Sequence, residues 1–500
     1  MSIATTFTAD PDHWAKLATT LTIPSRMWID GDSADAREGN RRAVISPRDG
    51  KPIVEVPDAG ADDADRAVSV ARKVFRSGVW SQLSPRERGD ILIRWADLLD
   101  QHRDEMALLI SLEMGKPIAH SWQIEMRTSI NLIRWYGEYA DKLMDESPRG
   151  RPDSVALVTR EPVGVVAAIT PWNFPMTLAC FKIPAALVAG NSLILKPASQ
   201  SPLSALRMAE LGALAGLPAG VFQVVTGGAV SGQALALHNE VDCLTFTGST
   251  AVGKQLLTCA GESNAKTVWL ELGGKSANII FPDAPDLEEA ITTAAWAIWF
   301  NSGQMCTAGS RLLVQRSIHE QVVTGVVEKL RALNIGDPLD PAVEVGPLSS
   351  RHHRDSVLTE IRCGLDSGAH LVSGTPEPLD RDGYFITPAV FDDVDPDSRL
   401  AQHEIFGPVL SVIPFDDDAH ALQIANNSDY GLGSAVWTSD ITRVHRISRG
   451  LEAGLVWVNC FEEGDASVPF GGRKLSGHGA DKSVHGIDKF TNLKTTWVQL

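Results

Sequence analysis

The chain has 500 residues, of which 44% are hydrophobic and 21% charged, so it can bury more than one core and is not disordered. Its 45 basic and 62 acidic residues give a net charge of −17 (45 minus 62), which disfavours a nucleic-acid partner. The six cysteines lack metal-ligand spacing, so we expect reduced thiols and no metal. No secretory signal is visible, and the longest nearly apolar run, residues 177–195, is interrupted. These observations predict a cytoplasmic protein with no membrane partner.

Apolar residues recur at helical spacing over residues 61–76 and 84–102, which predicts two amphipathic helices. Between residues 160 and 250, short apolar runs alternate with helical segments, a pattern typical of a doubly wound parallel sheet. The predicted strands are residues 164–169, 192–195, 222–225 and 243–246. The predicted helices that follow them are residues 181–189, 202–215, 232–238 and 250–260.

The alternating pattern begins again after two adjacent glycines at 273 and 274. A strand at 277–280, a helix at 287–299 and a strand at 311–314 predict a second α/β domain. Residues 146–159 are expected to form an excursion hairpin, and residues 489–500 a terminal edge strand. Because an exposed edge strand pairs readily with another chain, we expect an oligomer.

Two positions are candidates for holding a phosphorylated ligand. In FTGSTAVG, Gly248 and Ser249 precede a predicted helix, whose N-terminal N–H groups can bind a pyrophosphate. Taken alone, this turn is more often an ordinary helix cap. Lys196 follows a predicted strand, at the edge where open α/β sheets bind ligands. It could equally be a solvated lysine.

Three further positions are candidates for chemistry. Cys306 lies in the glycine-punctuated loop GQMCTAG, as a nucleophile would, although most cysteines in such proteins are buried packing residues. Glu271 precedes Gly-Gly and suits a mobile general base, or else is a solvated acid. Asn173, between prolines in ITPWNFP, suits an oxyanion donor, or else a turn residue that bonds its own backbone.

Seven ordered motifs together resemble the NAD(P)-dependent aldehyde dehydrogenase superfamily. They are ITPWNFP, ILKPA, FTGSTAVG, LELGGKS, GQMCTAG, EIFGPV and PFGGRKLSG. The resemblance covers nearly the whole chain and implies an α/β fold with three parts. These are a doubly wound cofactor-binding domain (residues 1–140 and 161–271), an α/β catalytic domain (272–480) and a small β oligomerisation element (141–160 and 481–500). A homodimer or homotetramer is implied, without a choice between them.

The resemblance implies a catalytic role for four residues. Cys306 is the nucleophile that forms a thiohemiacetal and then a thioester with the aldehyde. Asn173 and the Cys306 backbone N–H hold the oxyanion, and Glu271 activates the water that hydrolyses the thioester. Lys182 matches a lysine that supports proton relay. Because a thiol with a pKa of about 8.5 is mostly protonated at pH 7, we expect Glu271 or the cofactor to activate it.

The cofactor implied by the resemblance is NAD or NADP. The residues assigned to its binding are Thr170, Trp172, Lys196, Ser199, Gly232, Gly248, Ser249, Glu404 and Phe406. Lys196 matches the adenosine-ribose ligand, and strongly NAD-selective members have Glu three residues later. This chain has Ser199 there, which does not repel a 2′-phosphate. We therefore leave the preference between NAD and NADP open.

The loop before PFGG reads NCFEEGDASV, which is where this family lines its substrate tunnel. Carboxylates around Gly464 favour a cationic or polar amino-aldehyde, with aromatic faces for its ammonium group. The residues assigned to the substrate are Glu113, Phe174, Phe181, Phe300, Phe461, Glu463 and Asp465. The alternative is an apolar tunnel with solvated acids at its mouth.

The segments GESNAKTVWLELGGKSANI and DKSVHGIDKFTNLKTTW resemble bacterial γ-glutamyl-γ-aminobutyraldehyde and 4-guanidinobutyraldehyde dehydrogenases of polyamine and arginine breakdown. Ala480 departs from that group, which has Arg there. The alternatives are a succinic semialdehyde or broad aliphatic aldehyde dehydrogenase and, from another class, a catalytically silent binding or structural member. A semialdehyde favours arginines in the tunnel, and silent members tend to lose the cysteine or the base. Glu271, as the hydrolytic base, disfavours a CoA-acylating enzyme.

Overall fold

The structure is a computed structural model that describes residues 6–500. Its α-helices are α1 (Pro11–Thr20), α2 (Ala61–Ser77), α3 (Pro85–Gln101), α4 (Arg103–Met114), α5 (Ile118–His120), α6 (Arg127–Tyr139), α7 (Pro175–Cys180), α8 (Ile183–Val188), α9 (Leu203–Ala215), α10 (Ala229–Leu237), α11 (Thr250–Glu262), α12 (Leu287–Trp299), α13 (His319–Arg331), α14 (Arg351–Asp366), α15 (Arg399–Gln402), α16 (Asp418–Asn426), α17 (Ile441–Gly450) and α18 (His485–Asp488). Within residues 6–500, no helix is both long enough and apolar enough to cross a membrane.

The strands form two large sheets and three two-stranded ribbons. In chain order they are β1 (Met27–Ile29), β2 (Asp32–Ala34), β3 (Arg41–Ile45), β4 (Pro52–Pro57), β5 (Ser154–Pro162), β6 (Val165–Ile169), β7 (Ser192–Lys196), β8 (Phe222–Val224), β9 (Cys243–Thr247), β10 (Thr267–Glu271), β11 (Ala277–Ile280), β12 (Arg311–Gln315), β13 (His370–Ser373), β14 (Ala389–Asp392), β15 (Val409–Phe415), β16 (Tyr430–Gly431), β17 (Gly433–Trp437), β18 (Leu455–Val458), β19 (Arg473–Lys474), β20 (Gly477–His478) and β21 (Thr491–Gln499).

The first large sheet has the order β2-β1-β8-β7-β6-β9-β10-β20, and its five strands from β8 to β10 are parallel. Every residue of β6, β7 and β9 is buried, because helices cover both faces. Helices α2, α10 and α11 pack on one face, while α3, α6, α8 and α9 pack on the other. The predicted doubly wound sheet is therefore observed.

The helix predicted at residues 181–189 is observed as α8, Ile183–Val188, and a second short helix, α7, that was not predicted ends just before it at Cys180. Lys182 lies at the break, and Pro184 in the first turn of α8 favours a helix start there. The break leaves Lys182 fully buried between the two helices.

The second large sheet has the order β13-β14-β15-β12-β11-β17-β18 and is parallel except for β13. The chain passes from the first sheet to the second between β10 and β11, through Gly273 and Gly274. Strand β20 returns from the C-terminal region to pair with β10, so that Glu271 lies opposite Gly477. The crossing places Glu271 between the two sheets.

Residues 146–159 fold back on themselves, as predicted, through a single antiparallel bridge between Glu146 and Val158, and they do not form a two-stranded ladder. Strand β5 also pairs with the C-terminal strand β21, antiparallel, from Ser154 opposite Gln499 to Pro162 opposite Thr491. The predicted terminal strand is therefore observed, and its partner lies more than 300 residues earlier in the chain.

Candidate active site

A cavity of about 250 Å³ lies between the ends of β6, β9 and β10 and the loop that follows α12. Residues assigned to the site from sequence that line it are Trp172, Asn173, Gly248, Ser249, Cys306, Glu404 and Phe406. The lining is completed by Pro171, Thr247, Leu272, Gly273 and His353. Five of the seven sequence motifs therefore meet in one place.

The loop before Cys306 is held in a strained conformation. Asn301 and Ser302 have φ values of 50° and 56°, which cost of order 1–3 kcal/mol each for residues other than glycine. Hydrogen bonds hold the strain in place: Asn301 Nδ2 donates to the Asn173 carbonyl at 3.0 Å, and Ser302 Oγ donates to a backbone carbonyl at 2.8 Å. A Cβ at Gly274 would lie 2.2 Å from the Cys306 carbonyl oxygen, so glycine is required there.

The Cys306 side chain is half-buried. Burial raises the pKa of the thiol, and the charges of Glu462, Glu404 and Glu271 raise it further, in that order. Since only the thiolate attacks an aldehyde efficiently, a base must remove this proton during the reaction. The expectation that the thiol needs activation agrees with this geometry.

Asn173 lies beside Cys306 with its side chain fixed. Its Nδ2 donates to the Gln304 carbonyl at 2.9 Å, and its own carbonyl accepts from Asn301. An amide nitrogen has two hydrogens, so one remains for an oxyanion. Asn173 is 2% exposed, which keeps competing water away from that donor.

Glu271 ends strand β10 with a buried carboxyl group. Neither carboxylate oxygen has a hydrogen-bond partner among the described residues. Burial raises the pKa of Glu271 well above its usual value, and the charge of Asp481 raises it further. The charges of Lys489 and Lys182 oppose this rise. An unbonded carboxyl with a raised pKa is free to turn and to take a proton.

Lys182 does not bond Glu271 directly. Its Nζ donates to Asp481 Oδ2 at 2.9 Å, and Lys489 Nζ donates to the other oxygen of the same carboxylate. All three side chains are buried. We call Lys182, Asp481 and Lys489 the buried charge cluster. It carries one net positive charge when all three are ionised, next to a carboxyl whose pKa burial raises.

The residues assigned to the adenosine ribose lie together. Lys196 ends strand β7, is 7% exposed, and donates through Nζ to the Pro197 carbonyl at 3.0 Å. A Cβ at Gly232 on α10 would lie 3.4 Å from Lys196 Cδ, so this helix packs on the lysine stem. Ser199 is half-buried, and its Oγ bonds Gln200 Oε1 at 3.2 Å.

The residues assigned to the pyrophosphate lie at the N-terminus of α11. Ser249 caps this helix by accepting from Val252 N at 3.4 Å. The Gly248 N–H donates to the Glu271 carbonyl at 3.0 Å and is therefore already used. The donors for an anion are the N–H groups of the first turn of α11, whose positive dipole end faces the cavity.

The residues assigned to the nicotinamide half surround a buried carboxyl. Glu404 Oε1 accepts from Gly274 N at 2.8 Å, and burial raises the pKa of Glu404 to about 7 against the pull of this bond and of Lys275. The Phe406 ring packs edge-on against Trp172 with centroids 5.5 Å apart. Thr170 is buried, and its Oγ1 has no partner among the described residues.

These observations fit a nicotinamide dinucleotide. A helix N-terminus, a carboxyl and two aromatic rings line the cavity, as pyrophosphate, second ribose and nicotinamide require, and a buried lysine ends the neighbouring strand β7, where the adenosine ribose would lie. The orphaned hydroxyl of Thr170 is also at this edge.

The aromatic residues assigned to the substrate form separate contacts. Phe174 and Phe300 lie 6.2 Å apart, on either side of the loop to Cys306, and His120 lies 5.1 Å from Phe300. Lys116 Nζ lies 3.6 Å from the Phe174 centroid, so that face already holds a cation. Phe181 contacts Phe470 and lies 5.8 Å from Lys482 Nζ, while Phe461 packs on Trp457.

The loop acids differ in exposure. Glu463 is exposed, and Asp465 is exposed with its carboxylate bonded to Ser467 at 2.7 and 2.6 Å. Glu462 is half-buried, and its Oε1 is buried with no partner among the described residues. Of the three, Glu462 is the one whose charge acts on the Cys306 thiol. The acid nearest the chemistry is therefore one residue before those assigned from sequence.

The prediction that Glu113 is an acid at the tunnel entrance is wrong. Its side chain is fully buried and caps helix α9. The carboxylate accepts from Leu203 N and from Ser204 N and Oγ. A carboxylate with three such donors and no contact with solvent stabilises the fold and does not select substrates.

Sequence reasoning missed several residues at the site. Asp481 and Lys489 are eight residues apart on either side of α18, and nothing in their spacing shows that both reach Lys182. His353, whose Nε2 donates to the Phe406 carbonyl at 2.8 Å, follows another histidine in an ordinary helix start. The segment DKSVHGIDK was the available signal for the buried charge cluster, through resemblance alone.

Comparisons with known proteins cover nearly the whole chain. The model of the aldehyde dehydrogenase family matches residues 34–496. The chain is 48% identical over 489 residues to the NADP/NAD-dependent aldehyde dehydrogenase PuuC of Escherichia coli strain K12, covering 98% of each chain.

Solved structures agree with this match. An indole-3-acetaldehyde dehydrogenase, AldA of P. syringae, is 49% identical with a TM-score of 0.97 and was solved with NAD⁺; the match covers 99% of this chain and 100% of that one. The γ-glutamyl-γ-aminobutyraldehyde dehydrogenase of Burkholderia cenocepacia J2315 is 48% identical with a TM-score of 0.96, covering 98% and 99%. These two proteins are almost equally identical to this chain, yet their names give different aldehydes.

Proposed function

The chain belongs to the aldehyde dehydrogenase family, and we propose that its substrate is an aldehyde with a cationic or polar amino group at its far end. The reaction is the oxidation of an aldehyde with NAD or NADP. Candidates within the proposed class are γ-glutamyl-γ-aminobutyraldehyde and 4-guanidinobutyraldehyde, from polyamine or arginine breakdown. The name of one relative, the Burkholderia enzyme, supports this direction.

We assign the first half of the reaction to Cys306 and Asn173. Glu271 accepts the thiol proton, and the thiolate attacks the aldehyde carbon to give a thiohemiacetal oxyanion. The free Asn173 Nδ2 hydrogen and the Cys306 backbone N–H hold that oxyanion, each worth about 3–4 kcal/mol in the transition state. NAD or NADP, when bound, would supply the hydride acceptor, and loss of the hydride from the thiohemiacetal would leave a thioester on Cys306.

We assign the second half of the reaction to Glu271 and the buried charge cluster. Glu271 first releases the thiol proton to solvent and then takes a proton from water, whose oxygen attacks the thioester; the acid leaves, and Glu271 returns this proton to the Cys306 thiolate. The positive charges of Lys182 and Lys489 stabilise the ionised form of Glu271. Lys182 is held in place by its hydrogen bond to Asp481.

The observation that supports the substrate class most strongly is Glu462. Its Oε1 is buried without a partner, and burial raises its pKa to about 7, although a hydrogen bond from Thr307 and the charge of Lys482 oppose the rise. A buried carboxyl in this state gains a great deal from an ammonium or guanidinium partner. The charge of Glu462 acts on the Cys306 thiol, so the two groups are near each other. A short aldehyde at Cys306 would therefore place a cationic group at its far end within reach of Glu462.

The test is kcat/KM across an aldehyde panel, followed as reduced cofactor, with Cys306→Ala as the blank. The panel contains 3-aminopropanal, 4-guanidinobutanal, the γ-glutamyl derivative of 4-aminobutanal, succinic semialdehyde and hexanal. We expect the amino, guanidino and γ-glutamyl aldehydes to lead by about tenfold or more, equal to about 1.4 kcal/mol. Hexanal in the lead would contradict the proposal.

One observation favours a second class, the carboxylate-bearing semialdehydes. Lys482 is half-buried beside Phe181, and burial lowers its pKa while Glu462 and Asp465 raise it. Lys482 can bind a substrate carboxylate when it is not paired with Glu462 or Asp465. The variants Glu462→Gln and Lys482→Met separate the classes. Under the first proposal only Glu462→Gln lowers kcat/KM for 3-aminopropanal strongly, and under the second only Lys482→Met does so for succinic semialdehyde.

We further infer that the β5–β21 ribbon mediates a homodimer or homotetramer. Leu493 and Trp497 on β21 are 64% and 54% exposed, and Leu157 on β5 is also exposed. A free ribbon with apolar side chains on its surface is suited to burial against a second copy. Light scattering of the full chain and of a Trp497→Glu, Leu493→Glu variant tests this. The variant should be the smaller species.

A further inference from the structure

The β3–β4 hairpin lies at the adenosine end of the cofactor site, outside every motif that the family shares. The end of β4 is tied to the loop after β8, because Ala59 N donates to the Thr226 carbonyl at 3.2 Å and Thr226 Oγ1 donates to the Pro57 carbonyl at 2.6 Å. Strand β8 in turn lies next to β7, which ends at Lys196. The hairpin therefore has a fixed position relative to this lysine.

Arg42 on this hairpin extends toward the cofactor site. A Cβ at Gly228 would lie 3.1 Å from Arg42 Nη2, so the guanidinium rests over the backbone that leads into α10. The same helix packs on the Lys196 stem through Gly232. The charge of Arg42 acts on Lys196: burial and then the charge of Arg42 lower the pKa of Lys196 to about 8, and the charge of Asp58 opposes this. Two cations thus approach the same end of the site.

The counter-ion of Arg42 is readily exchanged. Its Nη2 donates to Asp58 Oδ2 at 2.9 Å, with the two side chains 43% and 30% exposed. Ion pairs of this exposure contribute little to stability. Lys196, Arg42 and Asp58 together have one net positive charge, and Ser199 adds a hydroxyl where a carboxylate would repel an anion. A phosphate group, with its three acceptor oxygens, matches this arrangement better than a hydroxyl does.

We propose that Arg42 is a specificity-determining residue that binds the 2′-phosphate of NADP together with Lys196, in exchange for its pairing with Asp58. The inference rests on the proposed placement of the adenosine ribose at Lys196. It adds to the proposed NADP-binding residues one that lies outside the seven sequence motifs. Asp58 competes with the phosphate for the same guanidinium and therefore limits the preference for NADP.

Binding of fragments to the full chain tests the proposal without turnover. Isothermal titration with 2′,5′-ADP and with 5′-AMP compares the same adenosine with and without the 2′-phosphate. For Arg42→Gln we expect affinity for 2′,5′-ADP to fall roughly tenfold or more, while affinity for 5′-AMP changes less than about twofold. For Asp58→Asn we expect tighter binding of 2′,5′-ADP. The KM for NADP, relative to the KM for NAD, should rise in Arg42→Gln and fall in Asp58→Asn.

Arg41 offers a matched control on the same strand. It donates to the Ser25 and Glu55 carbonyls and pairs with Asp35, on the other side of the hairpin. Arg41→Gln should leave the ratio of the two fragment affinities unchanged, and an equal loss in both variants would assign the effect to a loosened hairpin and overturn the proposal. Unchanged binding of 2′,5′-ADP to Arg42→Gln would also overturn it. If the unmodified chain binds neither fragment, the placement of adenosine at Lys196 fails as well.

Discussion

Glu271 shows how burial prepares a residue for catalysis. Its carboxyl has no partner and a raised pKa, so it is a strong base once ionised. We predict that Glu271→Gln lowers kcat roughly 100-fold or more, because the variant lacks the base that takes the proton of the thiol and of the hydrolytic water. Rapid mixing should show slow formation of reduced cofactor without a fast burst, whereas the exposed control Glu262→Gln should behave as the unmodified chain. Full steady-state turnover by Glu271→Gln would remove it from the mechanism.

Lys489 acts on the same base through charge. Its ammonium lowers the pKa of Glu271 from the value that burial and Asp481 would give. Without that charge the pKa rises further, so activity should require higher pH. We predict that the rising limb of the kcat–pH profile moves to higher pH in Lys489→Met and returns in Lys489→Arg. A lower kcat with an unmoved profile would indicate a purely structural role.

The carboxyl group of Glu462 leads to the prediction that the KM for a cationic aldehyde depends on pH, while the KM for a neutral aldehyde does not. With a pKa of about 7, its carboxyl is mostly neutral at pH 6 and mostly ionised at pH 8. The KM for 3-aminopropanal should therefore fall as pH rises through about 7, while the KM for hexanal stays level. Glu462→Gln should abolish the difference. Parallel profiles for both aldehydes would contradict the account.

For single residues, the sequence predicted the position of a side chain correctly where a motif fixes the backbone. Cys306 and Asn173 line one cavity, as their motifs predicted. Which loop acid points inward was not predictable, because Glu462 has a φ of 61° and the alternation of an extended loop does not apply. Glu113 was misplaced for a similar reason, since its partners belong to a helix 90 residues away.

Among the elements, the parallel strands were predictable and several helices were not. Strands buried on both faces appear as continuous apolar runs, which is why β6, β7 and β9 were found. Helix α4 has buried residues on all sides, from Met106 to Met114, so it lacks the polar stripe that identifies an amphipathic helix. On that account no helix was predicted for residues 103–114.

The link between α4 and α9 leads to a stability prediction. Glu113 satisfies three buried donors at the start of α9, and Glu113→Ala leaves them unpaired. We expect a loss of roughly 3 kcal/mol in the free energy of unfolding. Glu87, which caps the start of α3 at the surface by accepting from Ser84 N, is the matched control with an expected loss below about 1 kcal/mol. Equal losses of unfolding free energy for the Glu113 and Glu87 variants, measured by urea denaturation, would show that burial of the capping carboxylate does not matter.

For the whole molecule, the order of the elements was predictable and their long-range partners were not. The two α/β units observed as separate sheets agree with the resemblance to the family, while the proposed domain limits remain predictions. Strand β20 pairing with β10, and β21 with β5, join the C-terminus to elements more than 200 residues earlier. Such pairings bring Asp481 and Lys489 to the active site, and only a complete fold reveals them.

The measurement that tests the central claim most directly compares 3-aminopropanal with butanal, which differ in an ammonium against a methyl group. The ratio of their kcat/KM values isolates the contribution of the charge. We predict a ratio above about ten in the unmodified chain, and a fall of about tenfold in Glu462→Gln but not in its exposed neighbour Glu463→Gln. A ratio near one in the unmodified chain, or one unaffected by Glu462→Gln, would contradict recognition of an amino-aldehyde by this carboxylate.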